Sequence, residues 1–203
     1  IVIGGSGVDT NLFAYSKLAN HDSALKFSFI SRIIVDKGIN ELIEAINIVK
    51  LKYPKTIFSI IGEFNSFNEA SLKVGKFKES LKKKLFDYNV FHNNIYNFIR
   101  DSDCIILPSY REGSSKILLE AASVGRPLIS TDVPGCNNIV YDNINGFLCN
   151  PKDSNSLADS IIKMINLPFS KRLDMGINGR KIIVKNFEIN SVNRKIINHI
   201  ENL

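Results

Sequence analysis

The sequence predicts a parallel, doubly wound α/β sheet, Rossmann-like, with helices on both faces. Three observations lead there. Apolar runs of strand length, FSFIS at 27–31, TIFSIIGE at 56–63, CIIL at 104–107 and PLIS at 127–130, alternate with segments of helical period. These runs are continuous rather than alternating apolar and polar, which is the pattern of strands buried on both faces. The chain of 203 residues, 44% hydrophobic and without repeats or low-complexity tracts, is long enough to bury a single core.

The chain opens on a short apolar strand, IVIGG at 1–5, and a Gly-rich loop over 4–9 that lacks the GxGxxG spacing of a dinucleotide fold. The strand at 27–31 leads through Arg32 and Lys37-Gly38 into a helix on which Ile39, Leu42, Ile43, Ile46 and Val49 recur at three- and four-residue steps. After the strand at 56–63, a basic helix is expected over 67–85. FDYNVFHNNIYNFIRDSD then supplies a short strand, a loop and a helix leading into the strand at 104–107. The next loop carries Glu112 and Gly113, and a helix opens at Ser114 or Ser115. Pro134 and Gly135 fix a turn after the strand at 127–130, and Asn145-Gly146 reads as a tight turn before another short strand. Asp153 reads as the N-cap of a helix that buries Leu157, Ile161, Ile162 and Ile165. Helices at 170–186 and 190–203 end the chain.

Composition narrows the function. Cys104, Cys136 and Cys149 are too few and too scattered for a disulfide framework, and no Cys or His spacing suggests a metal. No apolar run approaches the roughly 18 residues of a membrane span, and the first residues lack the features of a signal peptide, so a cytoplasmic chain is expected. The formal charge is +6, with its densest cluster at Lys73, Lys76, Lys78, Lys82, Lys83 and Lys84. A solvated helix face is the plainer reading of that cluster; attraction to anionic lipid, giving peripheral membrane association at the inner face, is the functional one. Without interleaved aromatics or a nucleic-acid motif, no nucleic acid is expected as a partner.

The strand, loop, helix and strand spanning 104–130 carry the chemistry. The amides of residues 113 to 117 are the unpaired donors of a helix N-terminus, which with the helix dipole favours an anion such as phosphate. Glu112 and Glu120 lie eight residues apart, and the helix between Ser114 and Glu120 covers about 9 Å. The two carboxylates therefore flank the anion site, as a ligand with hydroxyls on either side of a phosphate would need. That describes a sugar nucleotide. Arg32 and Lys37 follow a strand at its carboxyl end, where open α/β sheets bind ligands, and both could neutralise a diphosphate. Taken alone, such charges are ordinary solvated residues.

The run LPSYREGSSKILLEAASVGRPLISTDVPG at 107–135, with SRIIVDKGINELIEAI before it and GSGVD near the start, resembles family 4 of the retaining GT-B glycosyltransferases. The similarity is most specific over 29–46 and 104–148, and bacterial members that build capsule, lipopolysaccharide O-antigen or lipid-linked oligosaccharides are nearest in character. The resemblance implies one half of a GT-B fold: residues 1–203 as a single C-terminal donor-binding domain, the N-terminal acceptor domain absent, and 187–203 as a helix that braces that domain and exposes part of its apolar face here. It assigns Glu112, Arg32 and Lys37 to catalysis. Gly113, Ser114, Ser115, Lys116, Ile117, Glu120 and Gly7 are assigned to donor binding, Glu120 holding the ribose. Val90 stands where relatives carry a Gly in the loop facing the base, followed by Phe91 and His92, and Ser114 and Ser115 replace an aromatic or Pro.

The function so implied is retaining transfer of a hexose or N-acetylhexosamine from a nucleotide sugar to a lipid-linked or polysaccharide acceptor in cell-surface glycan biosynthesis. UDP is expected over GDP as the commonest donor class among the bacterial relatives. The nucleotide sugar is a co-substrate; no cofactor and no metal is expected. The partners are the donor, the acceptor and the chain's own N-terminal domain, without which this chain binds nucleotide weakly and transfers nothing. A non-catalytic sugar-nucleotide-binding module or degenerate partner subunit is the alternative, and a GT-B epimerase fits less well.

Overall fold

A computed structural model describes residues 6–20, 24–63, 74–90 and 94–201. Six strands form one parallel sheet: β1 (Lys26–Ile30), β2 (Ile57–Ile61), β3 (Asp87–Asn89), β4 (Cys104–Leu107), β5 (Leu128–Thr131) and β6 (Gly146–Cys149), in the spatial order β3-β2-β1-β4-β5-β6. The register is regular, Phe27 facing both Phe58 and Cys104, and Ile106 facing Ile129. The chain winds outward from β1 to β3, then crosses back to β4 and winds outward the other way. The order therefore reverses between β1 and β4, and the loops leaving those two strands flank the crevice at the switch point.

The helices follow the winding. On one face α1 (Ile39–Lys52) packs on α5 (Ser154–Asn166) and touches α2 (Val74–Lys82). On the other face α4 (Lys116–Val124) packs on α3 (Ile95–Arg100) and α6 (Phe169–Asn186), and α7 (Ile189–Glu201) ends the described chain. All five periodic residues of α1 are buried, and the four residues of β4 are sealed between the layers. In α5 the Asp153 carboxylate accepts from the Ser156 amide, a side-chain cap, and Leu157 and Ile161 are buried with Ala158 and Met164. Ile162 and Ile165 are only partly buried.

Several expectations are corrected. The basic helix ends at Lys82, and Lys84 turns left-handed at φ 54°. Lys76, Lys78, Lys82, Lys83 and Lys84 are exposed, with Lys76 paired to Glu44 and Lys83 to Glu79. The turn before β6 does not centre on Asn145-Gly146: its left-handed residue is Asn143, Gly146 already belongs to the strand, and Asn145 is wholly buried, accepting from the Tyr141 amide and donating to the Ile139 carbonyl, so it braces the turn from inside. The expected strand at 1–5, the start of the basic helix at 67–73 with Lys73, and Phe91 and His92 lie outside the described residues. Val90 is exposed. On α7, Val192 is buried and Ile197 is 52% exposed.

Candidate functional site

Two loops meet at the switch point. After β1 the chain makes a 3-10 turn at Val35–Lys37 and enters α1 through Gly38, left-handed at φ 73°. A Cβ on Gly38 would lie 2.0 Å from the Pro108 carbonyl oxygen, so this glycine lets the β4 loop close onto the β1 loop. Hydrogen bonds fasten the contact: the Tyr110 amide donates to the Asp36 carbonyl at 2.8 Å, and the Ser109 hydroxyl lies 3.0 Å from the same oxygen. From β5, the Ser130 hydroxyl donates to the Leu107 carbonyl and the Thr131 hydroxyl to that of Ser109.

This frame brings two of the candidate residues together. Lys37 Nζ donates to Glu112 Oε1 at 2.5 Å, with side-chain exposures of 16% and 11%. Such a charge-assisted bond, largely screened from water, fixes both side chains. Arg32, by contrast, is exposed and makes no side-chain hydrogen bond or ion pair among the described residues. The two cations, read as sharing one task, differ in the fold: Lys37 is held by Glu112, and Arg32 has no side-chain partner among the described residues.

The helix that follows is open toward the same loop. Ser115 is the N-cap, but its side chain makes no capping bond. Its amide is not free as expected, because the turn at 133–135 folds over the loop and the Gly135 carbonyl accepts it at 3.2 Å. The amides of Gly113, Ser114, Lys116 and Ile117 have no acceptor among the described residues. Gly113 is exposed, and a Cβ there would meet nothing within 4 Å, whereas the Ser114 hydroxyl is buried without a partner. Lys116 is exposed, and the Ile117 side chain is partly buried and packs against the core. Glu120 is half-buried one turn beyond Lys116; loss of water pushes its carboxyl up to about 7, against the opposing pull of Lys116.

Gly7 serves packing. A Cβ on it would come within 2.7 Å of Ile189 Cα, and Val8 bridges to Glu188, so Gly7 lets the first segment lie against the start of α7. All three cysteines are free and buried, and Cys136 lies beside Ser130, Thr131 and the Lys37–Glu112 pair. Among the described residues no cluster of His, Cys, Asp or Glu could hold a metal, and no helix is long and apolar enough to cross a membrane. Sequence reasoning overlooked Asp36, Glu41 and Tyr110, which tie the loops together; the one signal for them was a tyrosine and two carboxylates inside the two ligand-edge segments.

Comparison with known proteins agrees with this geometry. Residues 15–182 match the family model described as glycosyl transferases group 1. The capsular polysaccharide biosynthesis glycosyltransferase CapM of Staphylococcus aureus is 30% identical over 178 residues, 85% of this chain and 44% of CapM. The UDP-Gal:alpha-D-GlcNAc-diphosphoundecaprenol alpha-1,3-galactosyltransferase of Escherichia coli is 31% identical over 137 residues, 67% of this chain and 34% of that enzyme. Among solved structures, the C-terminal domain of a glycosyl transferase group 1 family protein (LpcC) from Francisella tularensis superposes with a TM-score of 0.78 at 25% identity, covering 90% of this chain and 100% of that domain. The chain thus spans less than half the length of these curated relatives. The doubly wound sheet is the half GT-B fold the sequence implied. Since the matched region contains the β1 and β4 loops, the pair between them and the open end of α4, the chain belongs to the glycosyl transferases group 1 family.

Proposed function

We propose that this chain is the donor-binding domain of a retaining glycosyltransferase that moves a hexose or N-acetylhexosamine from a nucleotide sugar, UDP-linked, to a lipid-linked or polysaccharide acceptor in cell-surface glycan synthesis. The observation that carries the reading is the meeting of Lys37 and Glu112 at the switch point, in front of a helix end with unpaired amides. A diphosphate at that end is met by the helix dipole and by the amides of Gly113, Ser114, Lys116 and Ile117. Lys37 and the free Arg32 add positive charge as the bond to the sugar breaks, stabilising the departing diphosphate and hence the transition state. Glu112 accepts from hydroxyls of the sugar, and Glu120 from those of the ribose. Retention of configuration, attack by the acceptor from the leaving-group side, and an acceptor domain outside this chain all rest on the family resemblance. Charge neutralisation is assigned to side chains and helix, so the reading calls for no metal.

The relatives support the substrate class. The Escherichia coli enzyme is named for a UDP-sugar donor and a diphosphoundecaprenol-linked acceptor, and CapM for capsule. The LpcC domain, covered in full, supports the domain assignment. We place the reaction at the cytoplasmic face of the membrane, where such acceptors and nucleotide sugars meet.

Calorimetric titration of the full-length protein with UDP, GDP and UDP-hexoses tests the site. The expected result is UDP binding that Lys37→Ala, Arg32→Ala and Glu120→Ala each weaken, with sugar transfer abolished in Glu112→Ala. Nucleotide binding with no turnover on any acceptor identifies a non-catalytic module instead, and no binding refutes the reading.

A further inference from the structure

The loop that presents Glu112 is fastened at one side chain more firmly than its own strand requires. Tyr110 lies two residues before Glu112. Its hydroxyl donates to Glu41 Oε1 at 2.7 Å, its amide to the Asp36 carbonyl, and the Lys152 ammonium sits 4.9 Å from the centre of its ring. Those three partners belong to three different segments at the carboxyl edge of the sheet: Glu41 to the first turn of α1, Asp36 to the turn after β1, and Lys152 to the connection between β6 and α5. Beside them Arg111 pairs with Asp36 at 3.1 Å, but that pair is exposed and weakly held.

The 2.7 Å bond to Glu41 gives the hydroxyl a part in this contact beyond that of the ring, and two features accompany it. Burial and the neighbouring carboxylates of Glu41, Asp36 and Glu44 push the Tyr110 hydroxyl far above its ordinary pKa, so it stays a donor at any working pH. The second oxygen of Glu41 is buried with no partner, a costly arrangement that filling space would not call for. Glu41 lies four residues beyond Lys37 on the helix that Lys37 introduces. One hydrogen bond therefore links the loop bearing the carboxylate to the helix whose entrance bears the lysine.

We propose that Tyr110 is a positioning residue for the donor site: held by Glu41 and lying under Lys152, it fixes the 108–112 loop so that Glu112 is presented to the sugar while Lys37 remains within bonding distance. The part of this that concerns the sugar rests on the nucleotide-sugar reading above; the fixing of the loop does not.

Tyr110→Phe keeps the ring and removes the bond, Glu41→Leu removes its acceptor, and Glu41→Gln keeps an acceptor oxygen. In the ligand-free full-length protein, amide hydrogen exchange over 109–115 should speed up in Tyr110→Phe and Glu41→Leu to similar extents, with α5 unchanged. Glu41→Gln should give a smaller effect than Glu41→Leu, and the double variant Tyr110→Phe/Glu41→Leu should be no worse than either single one. With ligand, affinity for UDP-hexose should fall roughly tenfold in Tyr110→Phe while that for UDP itself changes less than about twofold, because only the sugar meets Glu112. Unchanged exchange, exchange raised throughout the protein, or equal losses for UDP and UDP-hexose would each overturn the proposal. If the wild type binds no nucleotide, the donor-site reading fails by itself, and the exchange data alone decide whether Tyr110 fixes the loop.

Discussion

Glu120→Gln isolates one titrating group and gives a number that can be checked without any substrate. In the fold the carboxyl of Glu120 is raised from its ordinary value of 4.5 to about 7 by loss of water, with Lys116 pulling the other way. A group whose folded pKa is raised contributes stability that is whole below the unfolded pKa and is lost as pH rises through the folded one. The window is therefore pH 4.5 to about 7. A rise of that size corresponds to about 3 kcal/mol at the upper end, and screening by the solvent that still reaches a half-buried side chain lowers this to about 2 kcal/mol. For a chain of this length 1 kcal/mol moves Tm by about 2–4 °C, so the wild type should lose about 4–8 °C between pH 5 and pH 8 beyond what Glu120→Gln loses. Calorimetric melting of both proteins over that range measures the difference, since the other carboxylates titrate alike in the two. Parallel profiles would refute the claim that burial holds Glu120 protonated. On the proposed function, ribose hydroxyls donate to the ionised form, so UDP binding by the wild type should also weaken below pH 7 more steeply than in the variant.

Two other substitutions test the frame of the site. Lys37→Met leaves the Glu112 carboxylate, 11% exposed, without its cation, and should cost about 2 kcal/mol. Adding Glu112→Gln should restore most of that loss, and additive losses in urea unfolding would show that the 2.5 Å pair contributes no coupling. Gly135→Ala puts a side chain on a residue at φ 82° and a Cβ 2.3 Å from the Glu112 carbonyl oxygen, so a loss of about 2 kcal/mol is expected together with displaced Glu112. Its UDP-hexose affinity should fall further than the unfolding midpoint accounts for; a fully stable variant with normal affinity would show that the turn does not brace the loop.

What was legible from sequence follows from the range of the interactions. The α1 stripe from Ile39 to Val49 and the run CIIL at 104–107 have one physical reading each, and the fold places both as read. The Asp153 cap was legible because capping is local. The Asn145-Gly146 pair misled for the opposite reason: a two-residue rule places the turn on the pair itself, but Asn145 is drawn into the core by the Tyr141 amide and the Ile139 carbonyl, and the turn forms earlier, at Asn143. The loss of the Ser115 amide to Gly135 and the hydrogen bond between Tyr110 and Glu41 join residues 20 and 69 positions apart. Neither leaves a periodic trace.

The Lys37–Glu112 contact was illegible in a more instructive way. Charge logic gave Lys37 the diphosphate and Glu112 the sugar hydroxyls, whereas the fold joins the two directly, across 75 positions of sequence. A lysine left alone before a helix N-terminus would face the positive end of the dipole, and the carboxylate relieves that repulsion. It also holds both side chains in place, so their ordering entropy is spent on folding rather than on binding. On the proposed reading this has a consequence for selectivity. Free phosphate or pyrophosphate can take Lys37 only by leaving the Glu112 carboxylate half-desolvated and unpaired. A nucleotide sugar offers an anion to Lys37 and hydroxyls to Glu112 together, and so loses nothing when the pair opens. The same bond that joins the two side chains thus discriminates against ligands that carry the diphosphate without the sugar.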